Sequence, residues 1–380
     1  MWLQVIEVLF ISSILSVLFA YFGYPLTLLG LSMFRRRPIT VGDITPSVTV
    51  IIAAYNEEAQ IEAKLENTLL MEYPKDKVQI IVVSDASTDR TNHIVKQYIE
   101  RGVELVETDR RVGKEGAQRQ ALRHARGEII IFTDVATLSD ARCLKNIVRN
   151  FADKTIGCVS SKDRVINDGG KIGGEGVYVK YEMWLRALES RVGSIVGLSG
   201  SLFAVRSSLC RDFSEDQQSD FRMVFVCIRQ GLRGISDPSV VGFYRDVPDE
   251  ADEFNRKVRT MVRALAVFFK NTDVLAVWRY GIASYALLCH KLLRWIVPWF
   301  LIIAFVSSAI LTFQSLPYLV LFLAQLLFYL GAAMGIKNRE NTNSLLRVAT
   351  YFVRVNLSIA IAWVLYLRGT RIVTWEPTRR

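Results

Sequence analysis

Three dense apolar runs in this chain each end in polar residues whose types could do chemistry together. "SVTVIIA" (Ser47 to Ala53) runs into "AAYNEE", which carries Tyr55, Asn56 and Glu57. "VQIIVVS" (Val78 to Ser84) runs into "SDASTDRT", with Asp85 directly after it. "EIIIFT" (Glu128 to Thr133) ends at Asp134. Runs this apolar read as strands buried on both faces. Taken singly, each polar residue suits a turn or a helix start, where acids are favoured by the helix dipole. Thr88 or Asp89 caps a following helix in this way, but capping the next helix does not account for Asp85. Three polar clusters at three carboxyl ends of one parallel sheet converge on one crevice, and that is where such sheets bind ligands. Between the second and third lies "RRVGKEGAQRQAL". Gly113 lets the backbone approach a ligand, and Lys114 puts positive charge at a helix start, a combination that suits a phosphate. With acids opposite, the pattern points to a nucleotide diphosphate held through base, ribose and a bridging metal.

The elements that must position these residues are legible from periodicity. Glu57 to Met71 carries Ile61, Leu65 and Leu69 at helical spacing and stops near Pro74. Asp89 to Arg101 carries Ile94, Tyr98 and Ile99 and is closed by Gly102. Glu115 to Arg126 carries Ala117, Ala121, Leu122 and Ala125 and is closed by Gly127. Strand alternating with helix predicts an α/β domain with a mostly parallel sheet covered on both faces.

The chain has 380 residues, a formal charge of +10 and 51% hydrophobic residues, the apolar excess being clustered. No basic stripe interleaves with aromatics, so nucleic acid is not an expected partner. Five cysteines without a C-x-x-C pair and only three histidines argue against a zinc site. They read as free, buried thiols of a reducing compartment. Trp2 to Met33 is apolar except for Glu7 and long enough to span a bilayer. Arg35, Arg36 and Arg37 follow it, so residues 1–34 are expected to be a retained anchor with that end in the cytoplasm. Residues 46–253 form the cytosolic domain, and 254–294 read as amphipathic helices at the membrane surface. Residues 295–336 read as a transmembrane hairpin around "QSLP", with Lys337, Arg339 and Arg347 returning to the cytoplasm. Residues 337–380 hold a cytosolic loop, a third apolar segment (351–367) that either spans or re-enters, and a basic tail, "WEPTRR".

In order and spacing, "AYNEE", "SDASTDRT" and "GKEGAQRQA" resemble the nucleotide half of the membrane-embedded family 2 glycosyltransferases, the branch with hyaluronan, cellulose and poly-N-acetylglucosamine synthases. "GVYVKYEMWLRALES" and "LSGSLFAVR" resemble its acceptor half, and "HKLLRWIVPW" its entry into the membrane. The resemblance implies a GT-A-like, Rossmann-like nucleotide-sugar domain between N-terminal and C-terminal transmembrane helices. It implies donor contacts from Tyr55, Glu57, Asp85, Lys114 and Asp134, with Asp85 reading a uracil edge and Lys114 near the diphosphate. Asp134 stands for the first acid of a metal-binding motif whose second acid is here Ala136, and Mg²⁺ or Mn²⁺ is the implied cofactor. Gly200 and Ser201 would line the acceptor pocket. Asp220 is the expected catalytic base, preceded by Ser219 where the family usually has an acid, with Asp212 and Asp216 as nearby rivals. Where processive members carry Gln-x-x-Arg-Trp, this chain has Arg256, Arg259 and Thr260. Arg259 still suits a diphosphate, while a membrane-surface role suits Arg256, Lys257 and Arg263.

The resemblance thus implies an inverting glycosyltransferase of the inner or plasma membrane, multi-pass, with its catalytic domain cytoplasmic. The donor is a nucleotide sugar, expected to be a UDP-sugar, and the acceptor a growing polysaccharide; a lipid-linked acceptor is the alternative. A silent scaffold or channel subunit, working with other polysaccharide-synthesis machinery, is the reading from a different class.

Overall fold

The computed structural model describes residues 1–166, 177–245, 250–337 and 344–372; Gly176, Arg339 and the tail Trp375–Arg380 lie outside them. Two compact units are present. One comprises Leu28–Asp249 and Ala266–Ala286; the other comprises Met1–Thr27, Glu250–Leu265 and Leu287–Thr370.

The first unit is built on one sheet. Its strands are β1 (Val48–Ala54), β2 (Val78–Ser84), β3 (Val103–Glu107), β4 (Ile129–Asp134), β5 (Leu138–Ser139), β6 (Ile156–Ile166), β7 (Leu202–Arg206) and β8 (Arg233–Arg245). They lie in the order β3-β2-β1-β4-β7-β6-β8-β5. From β3 to β4 every pairing is parallel. β7 then runs antiparallel to both β4 and β6, so the whole sheet is mixed. Every residue of β1 is buried, as a strand with neighbours on both edges and helices on both faces requires. The short helices fall where the periodicity implies: Ile61–Leu69 and Thr91–Lys96 are trimmed at their ends, and Gly113–Leu122 begins two residues ahead of Glu115 and ends before Arg126.

Register does the positioning. Ala53 lies opposite Val83 and Asp134, and Ala54 opposite Ser84. The residues that follow β1 and β2 therefore emerge level with Asp134 at one sheet edge. Both strand ends leave through left-handed backbone, at Asn56 (φ 52°) and Ala86 (φ 54°), a conformation costing about 1–3 kcal/mol for a residue with a side chain. Cross-links hold the two loops together. Thr88 N donates to Asn56 Oδ1 (2.8 Å), Asn56 N to Ser87 Oγ (3.1 Å), and Glu58 N to Asp89 Oδ2 (3.0 Å).

The second unit is helical. Among the described residues four helical stretches, Trp2–Phe34, Ile282–Leu311, Leu316–Ile336 and Leu346–Leu367, are long and apolar enough to cross a membrane. The second reaches back to Ile282, ahead of the Trp295 boundary drawn from hydropathy, and the third C-terminal segment is one unbroken helix, Ser344–Leu367. Glu7, the acid inside the first stretch, accepts from Tyr318 Oη at 2.5 Å. Trp363 Nε1 donates to the Trp295 carbonyl at 2.8 Å.

At the edge of the sheet remote from Asp134, Gly127 N donates to Thr49 Oγ1 at 2.9 Å. A Cβ on Gly127 would sit 2.4 Å from Thr49 N and 2.6 Å from Val48 C, both backbone atoms with nowhere to go. Gly127→Ala is therefore expected to cost about 3 kcal/mol or more, read as a large drop in thermal unfolding temperature of the detergent-solubilised protein.

Candidate active site

On the donor side, Tyr55 leaves β1 with its ring beneath the Arg111 guanidinium, 3.5 Å from centroid to Cζ. Arg111 also approaches Asp85 Oδ2 at 3.9 Å. Asp85 is 2% exposed, and its carboxylate accepts from Val112 N (2.7 Å) and Gly113 N (3.0 Å). Asp85 does not cap the helix that follows it; its carboxylate instead receives the N–H groups of Val112 and Gly113, where the helix Gly113–Leu122 begins. Asp89 does cap its own helix, accepting from Thr91 N at 3.0 Å. Glu57 is buried, and its backbone N–H donates to Thr91 Oγ1 at 2.8 Å.

Gly113 opens its helix at φ 82°, where a side chain would be strained. Lys114 follows and points its ammonium at two groups: Asp134 Oδ1 at 2.5 Å and the Gly200 carbonyl at 3.1 Å. Burial alone would push this ammonium down, but the adjoining Asp134, helped by Glu115 and Asp220, holds it above the ordinary lysine value. Asp134 N in turn donates to the Ser201 carbonyl at 3.0 Å. The end of β4 and the Ser199–Ser201 turn are thereby fastened together.

Behind Asp134 lies a second lysine that the sequence reasoning missed. Lys64 is fully buried on the inner face of Ile61–Leu69. Its ammonium donates to Thr133 Oγ1 at 2.9 Å and to the Thr137 carbonyl. Burial pulls its pKa down to about 8, against the opposing pull of Cys143 and Asp134. The available signal was its place between Ile61 and Leu65 on an apolar helix face.

A second missed residue is Asp163 on β6. Ser199 Oγ donates to its Oδ2 at 2.6 Å and Ser201 Oγ to its Oδ1 at 2.6 Å, while Ser161 Oγ reaches Oδ1 at 3.1 Å. One carboxylate thus fixes both serines that flank Gly200. A Cβ on Gly200 would stand 3.1 Å from Asp220 Oδ2, so the glycine is what lets this turn lie against that acid. Asp220 sits in the first turn of Ser219–Arg229, whose Phe221, Val224 and Ile228 are buried as the amphipathic pattern implied. Gln218 Nε2 donates to Asp220 Oδ2 at 3.2 Å. The rivals lie elsewhere: Asp216 is exposed and paired with Lys270, and Asp212 lines a separate cavity.

Arg259 belongs to the helical unit, on Glu250–Lys270. Its neighbours Arg256 and Lys257 share Glu253 at 2.6 and 3.4 Å, whereas Arg259 makes no ion pair among the described residues. Among the described residues no three of His, Cys, Asp or Glu gather into a metal-binding group.

A mixed sheet of this order, with its crevice beyond β1, β2 and β4 and the Ser199–Ser201 turn leading into β7 beside it, defines a GT-A-like domain. Residues 49–210 match glycosyl transferase family 2. It is 28% identical over 184 residues to a beta-monoglucosyldiacylglycerol synthase of Nostoc sp., covering 46% of this chain and 39% of that protein. It is 27% identical over 144 residues to the poly-beta-1,6-N-acetyl-D-glucosamine synthase of Staphylococcus aureus, covering 37% of this chain and 34% of that one. The match thus spans less than half the length of either relative. A solved mannosyltransferase of Pyrobaculum calidifontis, in complex with GDP-Man and Mn2+, superposes with a TM-score of 0.75 at 26% identity, covering 96% of this chain and 100% of that one.

The buried Lys64 has a measurable consequence. Its pKa lies below the ordinary lysine value in the folded chain, so between about pH 8 and the ordinary lysine range the unfolded chain binds the extra proton. Stability from this group is then gained as pH rises through that window, with a slope of up to about 1.4 kcal/mol per pH unit. Lys64→Met should flatten that slope relative to the parent protein in unfolding experiments from pH 7 upwards.

Proposed function

We propose that the chain transfers one sugar, with inversion, from a nucleoside-diphosphate sugar to a hydroxyl of a lipid-linked acceptor held at the membrane. The observation that carries this reading is the Lys114 ammonium, which joins Asp134 to the Gly200 turn lying against Asp220. Donor and acceptor chemistry meet at that point. Asp220 takes the acceptor hydroxyl proton as its oxygen attacks the anomeric carbon, and the bond to the diphosphate oxygen breaks on the opposite face. The leaving diphosphate needs positive charge rather than a proton. Lys114 supplies it within the crevice.

Tyr55, Glu57 and Asp85 hold the nucleoside. Asp85 uses its carboxylate oxygens on backbone N–H groups, and each keeps acceptor capacity for a base edge. Such an edge must present N–H donors, which uracil does. Guanine does so as well, and the Pyrobaculum enzyme solved with GDP-Man favours it as a second donor reading. A divalent cation, Mg²⁺ or Mn²⁺, fits if Asp134 contributes its free edge and the remaining oxygens come from diphosphate and water, as Mg²⁺ often accepts. Bound there, it would neutralise leaving-group charge.

Two features support the lipid-linked acceptor. The tryptophan that processive members carry for their glycan is Thr260 here, and the Nostoc relative is a glucosyldiacylglycerol synthase. The staphylococcal polymer synthase supports growing polysaccharide, with synthesis-machinery subunits as partners, as the second acceptor reading. Intact Asp85, Lys114 and Asp220 argue against a silent scaffold or channel subunit. The charge pattern favours a multi-pass protein with its catalytic domain at the cytosolic face of the inner or plasma membrane.

The test is turnover by purified protein with UDP- and GDP-sugars, with lipid or oligosaccharide acceptors, with and without Mn²⁺. Asp220→Asn should lower transfer by about 100-fold or more while donor binding survives. Asp134→Ala should abolish donor binding or turnover, and Ala136→Asp should be tolerated. No turnover with any donor would sink the enzyme reading, and full activity in Asp134→Ala would sink the metal assignment.

A further inference from the structure

A cavity of about 930 Å³ lies on the sheet-bearing unit, away from the crevice. Leu122, Ala125 and Ile130 line it, which are the far end of the helix that Lys114 opens and the beginning of the strand that Asp134 closes. Over a ten-residue helix that separation is about 15 Å. The cavity is therefore not an extension of the donor site.

Its charge is not balanced. Arg119 pairs with Glu215 at 3.1 Å, and Asp216 pairs with Lys270. Arg123, Arg211, Arg222 and Asp212 also line the cavity and make no ion pair among the described residues. Arg222 is the unusual one. It is half-buried on Ser219–Arg229, and its Nε and Nη1 are both shielded from solvent with no hydrogen-bond acceptor among the described residues. It also lines an adjoining cavity of about 420 Å³ together with Arg211, Asp212 and Arg229. Arg229 is already spent on Asp273, at 2.6 Å. Burial, with Arg229 nearby, pulls the Arg222 guanidinium below the ordinary arginine value. A cation kept from water without an acceptor is costly unless something fills its donors.

We propose that this cavity is a binding site for a phosphate-bearing small molecule, its phosphate oxygens accepting from Arg222 and its charge met by Arg211 and Arg123. Three arginines against one aspartate leave two positive charges, which matches a phosphomonoester dianion better than a carboxylate. The several terminal oxygens of a phosphate also serve donors that leave the guanidinium in different directions.

The experiment is thermal unfolding of the full chain in detergent, with inorganic phosphate titrated against sodium chloride at matched ionic strength. Phosphate should raise the midpoint in the parent protein and in Lys114→Ala, whose donor site is impaired. In Arg222→Gln the apparent phosphate affinity should fall by about tenfold or more, while its phosphate-free midpoint stays level or rises because a buried unpaired cation is gone. Arg211→Ala, at an exposed position, should weaken the response without altering the fold. A second arm replaces free phosphate with phosphatidic acid vesicles, using phosphatidylcholine vesicles as control. Protection by the acidic vesicles alone identifies a lipid headgroup as the source. A response equal to chloride in both arms overturns the proposal. So does one unchanged in both arginine variants, or one that vanishes only in Lys114→Ala.

Discussion

The ammonium of Lys114 fastens the end of one strand to the approach of a neighbour that runs the opposite way. One hydrogen bond goes to the end of β4, at Asp134, and one to the turn before β7, at Gly200. Burial alone would lower this ammonium, and the carboxylate beside it holds it above the ordinary lysine value. Remove that carboxylate and the cation loses its reason to stay; remove the cation and the carboxylate is left beside a turn that Asp163 and Asp220 already crowd with negative charge. The crevice is thus built from mutually dependent charges rather than from independent binding groups.

Much of this was readable from residue types. The three apolar runs, the helix starting at Gly113 and the convergence of Asp85, Lys114 and Asp134 follow from strand density and the rule that ligands bind beyond parallel strand ends. The amphipathic pattern after Asp220 placed its helix. What escaped were side chains whose importance depends on burial and register. Lys64 looks like an ordinary helix lysine until the sheet covers it. Asp163 sits in a polar strand segment with no periodic signal, and acquires its role only because antiparallel pairing of β6 with β7 brings it under Ser199 and Ser201. Asp85 was read as a ligand residue, yet its partners include a helix start that is distant in sequence, which no local pattern encodes. In each case the missing information is which strand lies next to which.

The helical unit was legible in a different sense. Hydropathy and length located its apolar stretches, since few sequences besides bilayer spans hold so many consecutive apolar residues. The starting point of the second stretch was not legible, because basic and aromatic residues between Arg256 and Arg294 dilute the signal before the helix has ended.

The strand order also bears on synthesis. β3, β2, β1 and β4 are drawn from one continuous segment that is complete by Asp134; β1, β2 and β3 join through local strand–helix–strand connections, and β4 then returns to pair with β1. The other side closes later: β6 pairs with β8, whose residues begin at Arg233, after the helices Val177–Val192 and Ser219–Arg229 and β7. Local connections close quickly, and distant pairings must first meet the entropy of a long loop. As the chain leaves the ribosome, the nucleotide half can therefore assemble while the acceptor half still awaits its last strand. A ribosome-stalled chain ending shortly after β4 is the natural object in which to look for an independently formed half-sheet.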